Sequence, residues 1–276
     1  MPQGRQLRRN LLRKAASVRG MPEQLPRIIQ GGMGVAVSSW RLARAVSARG
    51  QLGVVSGTGI DAVVARRLQL GDPGGHLREA FDAFPVPGVA ARVWDRHYIR
   101  GGKAAGARYK SKPLSAIEMP PRLLDLVVLS NFSEVYLAKA GHGGPVGINL
   151  LEKIQLPNLA SLFGAMLAGV DVVLMGAGIP RSIPAILDRF SAGEPAELRI
   201  DVAGALPGEA FLSRFDPRDY WPEGVASLVG WNFAVPLVRH YPLWDGVIRL
   251  IRAATGVDFS PAELEDSLDR IYLQEM

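Results

Sequence analysis

The feature that most constrains this chain is a repeated unit made of a short apolar strand, a glycine-rich turn and a helix. Residues 26–30 are a short apolar run that ends in Gly31-Gly32-Met33-Gly34, and residues 52–56 are a second run that ends in Gly57-Thr58. Between them, Ser38 or Ser39 is expected to cap a helix. This rhythm is typical of a parallel α/β fold, because each helix returns the chain to the start of the next parallel strand.

The same unit returns in the second half of the chain. Residues 146–151 and 170–175 are predicted strands, and the second of these ends in Gly176-Ala177-Gly178. Residues 198–202 predict one more strand, which belongs either to the parallel sheet or to a hairpin beside it. We therefore expect about four to five parallel strands. Helices are predicted at residues 121–140, 159–168 and 183–190.

Three parts of the chain fall outside this rhythm. Residues 71–121 are rich in glycine and proline turns and predict an insertion with short helices at 77–84 and 89–98. Residues 1–25 carry six Arg and Lys before the first acid, Glu23, and predict a basic, disordered leader. An organelle transit peptide is the alternative for this segment. Residues 207–276 lose the strand–turn–helix signature and predict a mostly helical C-terminal region.

Composition excludes several classes of site and partner. The chain has no cysteine, which excludes disulfides, cysteine-ligated zinc and iron–sulfur clusters, and its four histidines are too scattered for a metal site. The net charge of +6 comes from the leader, and basic residues interleaved with aromatics are missing, so no nucleic-acid partner is expected. No uncharged run reaches the roughly 20 residues of a membrane span. We expect a soluble, cytoplasmic protein without a membrane partner.

The glycine turns are the candidate binding site. Glycine at the end of a strand lets the backbone approach a flat ligand, and the carboxyl ends of parallel strands meet at one edge of the sheet. Asn149 lies in an otherwise apolar strand, where its amide needs a partner. The alternative is that these turns are only those any parallel fold requires. The candidate cofactor-binding residues are Gly32, Met33, Gly34, Gly57, Thr58, Asn149, Gly176 and Gly178.

Several segments of the chain resemble one flavoenzyme family. The segments are residues 28–34 (IIQGGMG), 40–46, 52–58, 141–151 and 174–180. They resemble the nitronate monooxygenases, also called 2-nitropropane dioxygenases, whose opening is shared by the flavin-dependent enoyl reductases of polyketide and polyunsaturated fatty acid synthases. The likeness covers residues 26–220. It implies a partial (β/α)₈ barrel, the N-terminal half of the family's TIM barrel, over residues 26–206, and FMN as the cofactor.

The resemblance also implies roles for individual residues. Backbone groups of Met33 and Gly34 would lie near the isoalloxazine ring, Asn149 would supply a side-chain hydrogen bond, and Gly176 and Gly178 would lie close to the ring or substrate. The implied activity is flavin oxidation of alkyl nitronates, with reduction of an enoyl thioester as an alternative. No metal is implied, and no residue is assigned a catalytic role. His142 precedes the strand at 146–151 and is expected to be a turn histidine.

The chain departs from the family in its second half. Neither the glycine-rich segments that bind the FMN phosphate nor the catalytic histidine segment is recognisable after residue 205. A third interpretation is therefore a non-catalytic, truncated half-barrel or a subunit that needs a complementary chain. Residues 253–271 are similar to a late helical stretch of aldehyde ferredoxin oxidoreductases. Without cysteines, this likeness implies no tungsten or iron–sulfur chemistry, only a different origin for the C-terminal region.

Half a barrel leaves apolar surface in need of cover. At about 25 cal/mol per Å², several hundred Å² of uncovered apolar surface forfeits on the order of 10 kcal/mol. That equals the whole stability of a typical domain. We expect the cover to come from the C-terminal helices, from a second copy of the chain, or from a complementary chain that carries the missing strands.

Overall fold

The computed structural model describes residues 26–224 of the chain, and these residues form a mixed α/β fold. Its helices are α1 (Trp40–Ser47), α2 (Ile60–Gln69), α3 (His76–Asp82), α4 (Val89–His97), α5 (Pro121–Lys139), α6 (Asn158–Leu167), α7 (Ile183–Ser191) and α8 (Pro217–Tyr220). Its strands are β1 (Gly53–Ser56), β2 (Val146–Leu151), β3 (Val172–Gly176), β4 (Ala196–Ile200) and β5 (Phe211–Phe215). The α/β class predicted from the strand–turn–helix rhythm is confirmed.

The central sheet is parallel, with strand order β1-β2-β3. Val54 of β1 lies beside Gly147, and Asn149 of β2 lies beside Leu174. The predicted first strand, residues 26–30, is reduced to an isolated parallel bridge between Ile29 and Leu52. The prediction of four to five parallel strands is therefore wrong for residues 26–224, which contain three parallel strands and one parallel bridge. No closed barrel is formed by this part of the chain.

The predicted strand at 198–202 belongs to a hairpin. β4 pairs antiparallel with β5, and Leu198 lies opposite Ser213. Of the two interpretations left open by the sequence, the hairpin is confirmed, and the domain boundary predicted at residue 207 falls inside its loop. The rest of the predicted helical region, residues 225–276, and the predicted leader, residues 1–25, lie outside the described residues.

Helix α5 is the centre of the core. It begins with Pro121 at its first turn, where a missing N–H has no cost. It packs against α1, α2, α3, α4 and α6 and against the sheet, which explains why most of its residues are buried. Gly164 of α6 lets the two helices approach closely, because a methyl group there would lie 2.2 Å from the Val128 carbonyl oxygen.

The predicted insertion supplies two of the helices around α5. α3 and α4 fall within one or two residues of the segments predicted at 77–84 and 89–98. A cluster of aromatic rings joins α6 and α7 to the hairpin through Phe163, whose ring centroid lies 4.8 Å from that of Phe215. Within residues 26–224, every helix is too short or too polar to cross a bilayer.

Candidate functional site at the carboxyl edge of the sheet

The predicted glycine turns lie together at the carboxyl edge of the parallel sheet. The Gly57 amide donates to the Asn149 carbonyl over 2.9 Å, which joins the end of β1 to β2. The Glu152 amide donates to the Gly176 carbonyl over 2.8 Å, which joins the end of β2 to β3. The bridge at Ile29 brings the turn at residues 31–34 to the same edge. We call these three turns, residues 31–34, 57–58 and 176–178, the glycine rim.

Asn149 connects two of these turns. Its side chain is buried, at 8% exposure, and its Nδ2 donates to the Gly31 carbonyl over 3.1 Å. The partner that an amide in an apolar strand requires is therefore the first turn of the rim. Its Oδ1 points the other way, since a methyl group on Gly176 would lie 3.7 Å from this oxygen. Within the described part of the chain, Asn149 Oδ1 accepts no hydrogen bond.

Met33, Asn149 and Leu151 lie around the position that a side chain on Gly176 would occupy. A methyl group on Gly176 would lie 3.6 Å from Met33 Sδ and 3.5 Å from Leu151 Cδ2, which are ordinary van der Waals separations. Met33 itself is 58% exposed, although its side chain is apolar. We call this space the Gly176 cradle. The packing of the protein would therefore accept alanine at residue 176. A bound ligand is one reason why glycine stands there.

Other rim residues are explained by the fold alone. A methyl group on Gly32 would lie 2.3 Å from Val54 Cγ1, and its backbone has φ +65°. A methyl group on Gly57 would lie 2.6 Å from Leu150 Cδ2. Thr58 Oγ1 accepts the Leu151 amide over 2.9 Å. These three residues hold the rim together, so the fold accounts for them whatever the site binds.

Gly34 and Gly178 are exposed members of the rim. Gly34 has φ +94°, and its carbonyl accepts the amides of Val37 and Ser38 in a tight turn. Gly178 makes room for a carboxylate, because a methyl group there would lie 2.1 Å from Glu152 Oε2. Glu152 was not predicted as a site residue, although its position directly after a predicted strand is a signal for one.

A series of polar contacts links the first turn of the rim to the start of α1 and to α5. Ser38 Oγ donates to the Met33 carbonyl over 2.9 Å, and the Ser38 carbonyl accepts the Ser56 amide. Two residues later, the Trp40 amide donates to Glu134 Oε2 over 2.8 Å, and Arg67 forms an ion pair with the same carboxylate. Glu134 is buried in α5, at 1% exposure. A residue far away in sequence therefore fixes the start of α1.

The surface around the rim is apolar. Val35, Val37 and Ile179 are exposed side chains that flank the same turns as Met33. Apolar side chains grouped in this way are typical of a surface that contacts a ligand or another chain. The rim therefore combines exposed backbone at Met33 and Gly34, one buried amide and an apolar border.

No metal or histidine chemistry is found at the rim. Within residues 26–224, no three His, Asp or Glu side chains are close enough to hold a metal ion. His142 lies before the amino end of β2, where its Nδ1 accepts the Gly144 amide and its Nε2 donates to the Ala138 carbonyl over 2.7 Å. The expectation of a turn histidine is confirmed.

An open groove of about 450 Å³ lies elsewhere, beside the loop of the β4–β5 hairpin. Arg199, Asp201 and Glu209 line it together with apolar residues, and it contains no residue of the glycine rim. We place the candidate site at the rim instead, because ligands of parallel α/β folds bind at the carboxyl ends of the strands. No family model, curated protein or solved structure matches this chain.

Proposed function

We propose that this chain is an FMN-dependent oxidoreductase of the nitronate monooxygenase type, with residues 26–206 as part of a (β/α)₈ barrel. The observation that carries the proposal is the convergence of Met33, Asn149 and Gly176 at the carboxyl edge of a parallel sheet. That edge is where such folds bind their cofactors. The resemblance of the glycine turns to those of flavoenzymes gives the identity of the cofactor.

The residues of the rim fit a flat, largely apolar ring. Residue 176 carries no side chain, so a ring edge can approach its backbone at the Gly176 cradle. Asn149 Oδ1 offers an acceptor for a ring N–H, and the exposed backbone of Met33 and Gly34 adds polar groups beside it. Met33 and the neighbouring apolar side chains would exclude water from the ring face.

The bound flavin would supply the electron transfer by which a nitronate is oxidised. The chain's own contribution is to hold the ring and to keep the reacting carbon out of water. Asn149 is suited to the first task, because its contact with Gly31 fixes the orientation of its amide. The apolar border of the rim is suited to the second, because an alkyl substituent would bury exposed apolar surface there.

The open edge of the sheet favours a second candidate function, a non-catalytic half-barrel or subunit. Within residues 26–224, β3 has one neighbouring strand only, and all five of its residues are half-buried. An apolar edge strand is a template for pairing with another strand. A complementary chain that carries further strands, or a second copy of this chain, would cover it. The missing phosphate-binding segments agree with this candidate, because FMN without a phosphate anchor binds more weakly.

FMN titration of the purified full-length chain tests the proposal. We expect stoichiometric binding, seen as a change in the visible absorbance and fluorescence of the flavin. A chain that stays colourless after reconstitution would refute the flavin assignment. Anaerobic addition of an alkyl nitronate then separates the two candidates. Bleaching of the bound flavin supports the oxidoreductase, whereas bound flavin that no nitronate bleaches supports the non-catalytic subunit.

A further inference from the structure

We propose that a basic surface at the end of α2 is a second binding site, which takes the diphosphate group of a small molecule. We call this surface the basic cluster and define it by four cations: Arg66, Arg96, Lys103 and Lys110. It is separate from the glycine rim. Helix α2 begins beside the rim, at Ile60, and Arg66 lies in its last turn, about 9 Å further along the helix axis. The proposal does not depend on a flavin or on a reaction at the rim.

The segment that carries two of these cations is held against the end of α2. Gln69 is buried, at 1% exposure, and its side chain accepts the Lys110 amide over 2.7 Å and donates to the Lys110 carbonyl over 3.2 Å. The Lys103 amide donates to the Gln69 carbonyl over 2.7 Å. These contacts use the backbone of the two lysines. The fold therefore fixes the position of both residues without using their charges.

Tyr109 brings two of the cations together. The guanidinium carbon of Arg66 lies 5.4 Å from the centroid of the Tyr109 ring, and Lys103 Nζ lies 4.9 Å from it. Cations within about 6 Å of an aromatic ring are attracted to its face. The Tyr109 ring is 39% exposed, so this group of charges lies at the surface. Cations from α2 and from the segment after α4 therefore share one ring.

His97 is a buried polar group beside the other two cations. It is 4% exposed, and its Nδ1 has no hydrogen-bond partner within residues 26–224. Burial, followed by the charges of Arg96 and Lys110, lowers the pKa of the imidazole, so the ring is neutral at pH 7. A buried nitrogen without a partner destabilises the folded chain. A phosphate oxygen bound beside Arg96 and Lys110 would accept a hydrogen bond from Nδ1 in its N–H form.

The basic cluster has no compensating acid in the part of the chain that the structure describes. None of its four cations forms an ion pair there, whereas the nearby Lys112 and Arg67 are paired with Asp61 and Glu134, respectively. Like charges held close together repel one another, and an anion bound among them would replace this repulsion by attraction. A single unpaired cation is common on a protein surface. The observation that carries the proposal is the convergence of four cations on one ring and one buried imidazole.

The form of the basic cluster favours a diphosphate over other anions. A diphosphate presents charged oxygens on two linked phosphorus atoms, so several cations can donate charge-assisted hydrogen bonds to it at once. Single-stranded nucleic acid binds by stacking its bases on free aromatic rings, and the Tyr109 ring is already covered by Arg66 and Lys103. An acidic peptide brings one charge per side chain and loses more conformational freedom when it binds.

Calorimetric titration of the purified full-length chain with pyrophosphate tests the proposal. We expect one site per chain, with an affinity that falls as the KCl concentration rises. Lys110→Gln keeps the backbone contacts with Gln69, so it should fold as the wild type does. This variant and Arg66→Gln should each lose about tenfold or more in affinity, as for loss of a charge-assisted hydrogen bond. The matched control is Arg199→Gln, which removes an exposed cation of β4 and should keep the wild-type affinity.

The NMR signals of the His97 imidazole give a second readout. Bound pyrophosphate should raise the pKa of His97, because it offsets the charges of Arg96 and Lys110. The His97→Gln variant identifies the signals by their loss. Absence of pyrophosphate binding, equal affinity in wild type and Lys110→Gln, or a His97 pKa that saturating pyrophosphate leaves unchanged would each overturn the proposal.

Other ligands identify the source of the diphosphate. ADP that binds as tightly as pyrophosphate, with no binding of adenosine, would support the diphosphate of a nucleotide. Binding of pyrophosphate without ADP would support free diphosphate. A hexaglutamate peptide that binds more tightly than pyrophosphate would overturn the diphosphate assignment in favour of an acidic protein partner.

The basic cluster and the glycine rim are tested separately. These titrations use neither FMN nor a nitronate, so their failure leaves the flavin proposal standing. A chain that binds pyrophosphate but no FMN would refute the flavin proposal alone. Lys110→Gln should keep the wild-type affinity for FMN, and an FMN affinity that falls together with the pyrophosphate affinity would contradict two separate sites.

Discussion

Replacing Glu134 by alanine tests how the first turn of the glycine rim is held in place. The carboxylate is 1% exposed, accepts the Trp40 amide over 2.8 Å and is paired with Arg67. Removing one partner of a buried ion pair costs about 3–5 kcal/mol, because the other charge loses its compensation. The Arg67 side chain keeps 23% exposure and can be partly hydrated, so we expect the lower end of this range, about 3 kcal/mol.

Urea unfolding of the full-length chain, followed by circular dichroism, measures this difference as a lower midpoint at unchanged slope. The matched control is Asp82→Ala, which breaks the exposed pair between Arg78 and Asp82, with exposures of 59% and 61%. We expect about 0.5 kcal/mol or less for that pair. The stability of Glu134→Gln should lie between those of the two alanine variants, because its amide oxygen can still accept the hydrogen bond from the Trp40 amide. A Glu134→Ala chain as stable as the Asp82→Ala chain would refute the role of Glu134.

Two substitutions and one change of pH test the packing of the described residues. In the same urea assay, Gly32→Ala should lower the free energy of unfolding by about 1–3 kcal/mol through overpacking against Val54, and by more because its backbone is left-handed. A variant as stable as wild type would contradict this contact. Phe163→Ala should cost about 3–5 kcal/mol by opening the aromatic cluster of α6, and a loss below about 1 kcal/mol would argue against its burial. Burial, with the charges of Arg96 and Lys110, lowers the pKa of His97, so the unfolded chain binds the proton more readily. Stability should therefore fall as pH drops below about 6.5, and His97→Gln should flatten this decrease; an identical pH profile in the two chains would contradict it.

Elements with strong local signals were predicted closely from the sequence. β2 has the predicted bounds, and α5 ends one residue before the predicted end. Both have local causes: β2 is a run of apolar residues between loops, and α5 begins at a proline and continues with good helix formers. β3 begins two residues later than predicted, because pairing with β2 and not composition decides where a strand begins.

Tertiary pairing explains where the sequence failed. The predicted first strand ends at Gln30. The Val54 amide donates there to the side-chain Oε1 of Gln30, over 2.9 Å, and not to a backbone carbonyl of the strand. No local sequence pattern predicts that a side chain will take the place of a backbone acceptor. β4 was assigned to the parallel sheet or to a hairpin, and its alternating burial fits a strand with one covered face. Its partner, β5, lies in a segment where we predicted helices.

The site was predicted in outline, but its supports were not. The glycine turns and Asn149 were identified because glycine after a strand and an amide inside one are visible locally. Ser38 or Ser39 was expected to cap α1. Ser39 does occupy the N-cap position, but its side chain makes no cap hydrogen bond. The Ser38 hydroxyl donates to Met33, and Glu134 accepts the helix amide instead. The sequence separation of 94 between Trp40 and Glu134 places this contact beyond any local pattern. Glu152 was missed because a glutamate after a strand is also common on surfaces.

FMN affinity of the Gly176→Ala chain tests the central claim most directly. A methyl group there would meet nothing closer than 3.5 Å, so the fold should tolerate it while the Gly176 cradle is filled. Gly50→Ala, at the opposite edge of the sheet, is the control: it has open space but φ +73° and should cost about 1 kcal/mol of stability without affecting FMN. We predict a loss of FMN affinity of at least about tenfold, or 1.4 kcal/mol, in Gly176→Ala alone. Equal affinity in wild type and both variants would contradict the placement of the flavin at the glycine rim.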